Sequence, residues 1–257
     1  MDHPNKDLDF KHIQEKLMVE RRTRMTVMSV LLSALLFTVI YGTLYNPFTH
    51  TFSKIGNRFT PSLRIVFIIW SSYTGFAIQS SIIALFKLEN YQKKSAYTFI
   101  AIGVVFLIIT AITPALPDLP FWLWVHRITS VIFALCMTIG FYPFLRWISE
   151  ENPRLRLYII IWFGVIWGGS LSLMLIFGNT GLFELFFFAT LIIFLLYLSM
   201  TLFEEQIIKR SVKLLRDKED LNQGIEEILK PRYLREKQNH EKQKENMKVA
   251  KIEEKTI

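Results

Sequence analysis

Between Met25 and Phe203 charge is confined almost entirely to the gaps between long apolar stretches. Six apolar stretches follow one another there, at Met25–Tyr45, Ile65–Phe86, Ala96–Leu116, Phe121–Leu145, Leu157–Phe177 and Phe183–Phe203. Each reaches the roughly 20 residues of helix that cross a hydrocarbon core about 30 Å thick. Inside a bilayer the backbone has no water to bond, so a crossing segment must be a helix or a strand of a closed barrel. These stretches are apolar all round instead of alternating, which selects helix. The predicted fold is all-α, a polytopic bundle of six transmembrane helices. Composition agrees, since 51% of the 257 residues are hydrophobic and 22 are Phe, whereas soluble helices of this length need a polar face.

Lys and Arg set the orientation. Lys6, Lys11, Lys16, Arg21, Arg22 and Arg24 precede the first stretch, Lys87, Lys93 and Lys94 follow the second, and Arg146, Arg154 and Arg156 follow the fourth. Fourteen more lie between Lys209 and Lys255, while the opposite side has only Lys54, Arg58 and Arg64 in its loops. The positive-inside rule places both termini in the cytoplasm. A plasma membrane is expected, and abundant Lys and Ile without an organelle signal point to a bacterial one. The first stretch follows a charged segment of 24 residues and lacks a small-residue cleavage site, so it reads as a retained signal anchor.

Three regions follow. Residues 1–24 carry Phe10, Ile13 and Leu17 at helical spacing and read as an amphipathic segment lying on the membrane. Residues 25–203 form the bundle. Residues 204–257 are a charged tail, helical to about residue 230 on the stripe Ile208, Val212, Leu215, Leu221, Ile225 and Ile228. Pro231 ends that helix, and the Lys/Glu/Gln-rich remainder is partly disordered. The net charge of +8 suits anionic lipid headgroups. No motif turns it toward nucleic acid. Membrane lipids are the expected partners, and the tail offers a helix to a cytoplasmic partner.

The usual enzyme signatures are missing: there is no P-loop, G-x-G-x-x-G, G-x-S-x-G or H-E-x-x-H. No metal-ligand spacing appears and no cofactor is expected. Cys136 is the sole cysteine and reads as a small core residue. Ser71, Ser72, Gln79, Ser80 and Ser81 give the second stretch a polar stripe, read as glue between helices. Gly164-xxx-Gly168-xxx-Ser172 in the fifth is a small-residue face suited to close helix packing. Trp122 and Trp124 fit an interfacial aromatic belt.

Candidate site residues gather on the outward side. The segment from Tyr45 to Ser62 holds His50 and Ser53 among Phe48, Phe52 and Phe59, with turn chemistry at Asn46-Pro47 and Gly56-Asn57. It reads either as a solvated loop with interfacial anchors or as a flap over the bundle mouth. Thr113 to Pro120 makes a proline-rich corner carrying Asp118. His126 and Arg127 then lie about 9–11 Å beyond Pro120 along a helix. An ionisable residue at such depth is a functional candidate by default, with snorkelling Arg127 and packed His126 as the plain reading. Asp118 and Glu184 are the available counter-charges.

The string Asn46-Pro47…Thr51-Phe52-Ser53-Lys54-Ile55-Gly56, followed by Pro61 and by a histidine early in the fourth stretch (His126), resembles a six-helix bacterial membrane family. That family is known as domain of unknown function 998 and is distantly like the Frag1/DRAM/Sfk1 membrane proteins. The resemblance covers about residues 25–203, with Lys54 and the basic tail outside its pattern. It implies the six-span fold and leaves the biochemical role undefined. The expected function is binding or sensing of a lipid or other amphipathic ligand in an outward-facing pocket of His50, Ser53, Asp118, His126, Arg127 and Glu184. Arg127 is expected to pair with Asp118 or Glu184, or to face an open cavity. The alternatives are a membrane-embedded hydrolase using His126 or His50 as base, and a small transporter lined by the second stretch and the Pro114–Pro120 break.

Overall fold

The computed structural model describes residues 6–58 and 60–212, and every regular element among them is helical. The helices are α1 (Lys6–Thr43), α2 (Phe52–Arg58), α3 (Pro61–Leu88), α4 (Lys94–Ile112), α5 (Pro120–Glu151), α6 (Pro153–Gly164), α7 (Ser170–Phe177) and α8 (Gly181–Val212). A π turn at Val165–Gly169 joins α6 to α7 without a break. Six helices are long and apolar enough to cross a membrane: Glu15–Thr43 within α1, then α3, α4, α5, the α6–α7 rod and α8. Each corresponds to one apolar stretch of the sequence.

Local chemistry sets the boundaries. Pro61, Pro120 and Pro153 each open a helix, where the missing N–H is not needed. The Thr60 side chain caps α3 by accepting from the Leu63 amide. Pro114 disfavours helix at the residue before it, and α4 stops at Ile112. Asn90 takes the left-handed conformation, φ 55°, which Asn tolerates, and turns the chain from α3 toward α4.

The chain falls into two compact units, residues 19–206 and a unit made of the ends, 1–18 and 207–257. Of the second, the described parts are the start of α1 and the last turn of α8. Helix α1 continues unbroken through Arg24 and Met25, so the expected boundary between an amphipathic segment and the first span is not a helix break. The expected tail features beyond residue 212, including the stripe to residue 230 and the stop at Pro231, lie outside the described residues.

Residues 19–206 enclose a core of aromatic rings. Tyr41, Phe67 and Trp70 stack, with Phe188 edge-on to Trp70. Nearer the other end Phe86, Tyr91 and Phe144 form a second group. Among the polar links between helices, Trp70 Nε1 donates to Thr38 Oγ1 (3.1 Å), Ser71 to the Leu107 carbonyl (3.3 Å), and Thr110 to Thr129 (2.8 Å). The α6–α7 rod is the least covered span, with 17% of its apolar window buried against 33–50% for the others. Among the described residues a Cβ at Gly164 or Gly168 would meet nothing within 4 Å, so the small-residue face packs against none of them.

Candidate functional site

In the segment between α1 and α3 the turn at 44–50 is largely exposed, whereas the part from Thr51 to Gly56 is folded into the bundle. Its short helix α2 carries Phe52 and Ile55 three residues apart on one face, and they are 2% and 0% exposed. Phe52 meets Tyr41 and Trp70 edge-on, at ring separations of 5.4 and 4.8 Å. Gly56 lets α2 lie directly on α3, because a Cβ there would sit 2.7 Å from that of Phe67. Three hydrogen bonds fasten the helix. Thr51 Oγ1 accepts from the Lys54 amide (3.1 Å), Tyr41 donates to the Phe52 carbonyl (3.0 Å), and the Glu184 carboxylate of α8 accepts from the Phe52 amide. The turn before α2 is tied to the same helix, since the Pro47 carbonyl accepts from the Leu182 amide (2.9 Å).

The six candidate residues therefore separate. Ser53 lies on α2, bonded to Thr51 Oγ1 (3.1 Å), and Glu184 reaches the same helix at the Phe52 amide. His50 stands in the turn before α2, its Nδ1 2.7 Å from Thr49 Oγ1. His126 is buried in the α4–α5 contact, where Nδ1 donates to the carbonyls of Thr110 (2.8 Å) and Thr113 (3.3 Å). Helix C-terminal carbonyls have no partner in their own helix. Arg64 meets another of them, donating to Ile112 (3.1 Å), so a histidine and an arginine satisfy the carbonyls that end α4. Asp118 and Arg127 are both exposed. Among the described residues neither makes an ion pair, so the expected pairing of Arg127 with Asp118 or Glu184 is not formed. Arg127 instead shares the outer surface of α5 with Trp124 and Phe121, 62% and 64% exposed.

Two cavities stand out, and none of the six residues lines either. One is a crevice of about 30 Å³ between α5, the π turn and α8, walled by Met137, Phe163, Trp167, Phe187 and Phe194. The other is a groove of about 650 Å³ lined by residues of α1, α3 and α8. Helices α1 and α3 are pinned together by Thr38–Trp70 and by Ser33–Tyr73. From Tyr73 toward Lys87 they leave the groove between them. Its wall is apolar at Phe76, Ile83, Ala84 and Phe203, and polar at Glu20, Thr23, Gln79, Ser80 and Lys87. Phe76, at 60% exposure, shows that the groove opens sideways onto the bundle surface. From Phe76 to Lys87 it follows about 16 Å of helix axis.

Most of the polar lining is accounted for within the chain. Ser80 bonds to the Ala77 carbonyl and Thr23 to that of Val19, and Glu20 has partners of its own. Gln79 and Lys87 differ. Among the described residues the Gln79 carboxamide makes no hydrogen bond and the Lys87 ammonium no ion pair. At the same end of the bundle Arg24 approaches Glu204 (3.9 Å), Asn152 donates to Glu205 (2.8 Å) and Gln206 to Glu89 (3.1 Å). Gln79 was legible in the sequence as part of the polar stripe, but its use as interhelix glue is not what the structure shows. Arg64 carried no signal beyond its place in the first turn of α3. Compared with protein families, with curated proteins and with solved structures, the chain matches none.

Proposed function

We propose that this chain is a lipid-binding or lipid-sensing protein of a bacterial plasma membrane, with both termini cytoplasmic and an amphipathic ligand held in the lateral groove between α1 and α3. The observation that carries the reading is the half-buried Gln79 carboxamide, which lines that groove without a hydrogen bond among the described residues. Its amide donors and carbonyl acceptor open onto the groove beside Phe76, Ile83 and Ala84, where a ligand can take them up. The groove's volume, of the few hundred cubic ångströms typical of small-molecule sites, and its sideways mouth suit a molecule arriving from the bilayer.

On the orientation read from Lys and Arg, the mouth faces the cytoplasmic leaflet. The ligand is thereby moved from the outward end, where the sequence reading put it, to the opposite one. The loop string shared with the domain of unknown function 998 family supports the same six-span assignment, and membership of that family is part of this reading. Ser53 is bonded to a threonine and His126 to two carbonyls, which favours binding over hydrolysis.

The test is lipid stoichiometry after exhaustive detergent exchange. Wild type should retain a defined lipid, and Ser80→Phe, which fills the groove, should lose it while Arg127→Leu keeps it. Equal retention by Ser80→Phe would sink the proposal.

A further inference from the structure

We infer that the groove takes an ester-linked glycerophospholipid, with Lys87 meeting its phosphate and Gln79 donating to an acyl-ester carbonyl. The inference rests on the lipid-binding reading above and names the chemistry of its ligand. Lys87 and Gln79 line one groove, and neither has a partner among the described residues. They are eight residues apart on α3, about 12 Å along the axis. A lipid whose phosphate and ester carbonyl lie several ångströms apart meets both groups when the two side chains lean toward each other along the groove.

The order of groups along the groove matches that of a phospholipid. Lys87 lies at one end, Gln79 and Ser80 about two turns along α3, and exposed Phe76 at the apolar end where the groove opens sideways. Glu20 refines the choice. Its carboxylate in the same lining opposes a second negative charge, so a phosphodiester fits better than a phosphomonoester. A carboxylate also has about four lone-pair sites, so Glu20 can accept from an ammonium or hydroxyl of the headgroup in addition to its own partners. A free fatty acid has no group for the distance between Lys87 and Gln79, and a diacylglycerol offers Lys87 a hydroxyl but no anion.

The experiment is native mass spectrometry of the full chain, delipidated and offered three probes in equal amounts: dioleoyl phosphatidylethanolamine, its dialkyl ether analogue and dioleoylglycerol. One hydrogen bond gained or lost corresponds to about fivefold in affinity. Wild type should favour the diester over the diether by at least that factor, and both over dioleoylglycerol. Gln79→Leu should bring diester and diether to parity. Lys87→Gln should weaken both phospholipids while leaving dioleoylglycerol unchanged. Parity of diester and diether in wild type, with Gln79→Leu silent and Ser80→Phe still abolishing binding, would overturn the inference and leave the lipid-binding reading standing. Binding of every probe equally by wild type and Ser80→Phe would overturn both.

Discussion

The docking of α2 depends on a contact 132 residues away, between the Phe52 amide and the Glu184 carboxylate. Replacing Glu184 with Leu leaves that amide N–H buried beside Phe52, which is 2% exposed. An orphaned buried donor costs about 1–3 kcal/mol. The Thr51 cap and the Tyr41 hydrogen bond remain, so α2 should stay docked in the ground state and open more often. Taking about 2 kcal/mol, the opening constant rises about 30-fold. A cysteine at Ser53, 8% exposed in the native protein, reports that opening through its rate of reaction with a membrane-impermeant maleimide. The rate in Ser53→Cys/Glu184→Leu should exceed that in Ser53→Cys alone by roughly 30-fold. Glu184→Gln keeps a carbonyl acceptor, and its effect should stay below about fivefold, or about 1 kcal/mol. Equal labelling in all three backgrounds would refute the assignment of Glu184 as the cap that holds α2.

Other expectations follow from the same geometry. Gly56→Ala drives a methyl group against Phe67 and should lower stability by about 1–3 kcal/mol in a detergent melt; no change would mean that α2 and α3 can separate freely. His126→Ala strips the Thr110 and Thr113 carbonyls of their donor and should cost about 1–3 kcal/mol, whereas exposed Arg127→Leu should stay within about 0.5 kcal/mol; the reverse order would restore Arg127 as a site residue. Reporter fusions at exposed Asp118 and at the C-terminus should report opposite sides of the membrane, with the C-terminus inside. Truncation at Pro231 should leave the bundle inserted and its melting temperature unchanged, since residues 232–257 carry no core-forming pattern.

The spans were legible because a bilayer's demand on the backbone leaves a long, local signature. Their ends were less so. The fourth apolar stretch fades at Leu145, yet α5 runs to Glu151, partly because Arg146 and Glu150 pair at 3.0 Å one turn apart. The short helix Phe52–Arg58 was illegible for a different reason. Phe-Ser-Lys-Ile-Gly-Asn-Arg has ordinary loop chemistry, and what buries it comes from Trp70 and Glu184, far away in sequence. His126 and Arg127 look alike as ionisable residues in a span. Only their direction on α5, one toward the carbonyls of α4 and one outward, separates a helix cap from a surface charge. The groove depends on where α1 and α3 part. Gln79 was visible as a polar residue on the second span, but the missing neighbour that makes it a candidate ligand contact is a property of tertiary structure.

The most direct test of the groove is made in the native membrane, before detergent can add or remove a ligand. A diazirine-bearing amino acid at Ile83, on the groove wall, is compared after irradiation with the same residue at Leu171, 57% exposed on α7. A groove that holds a defined phospholipid predicts one dominant lipid adduct at position 83 that Gln79→Leu diminishes, and at position 171 a mixture mirroring the bulk membrane. The same bulk mixture at both positions, unchanged by Gln79→Leu, would contradict the account.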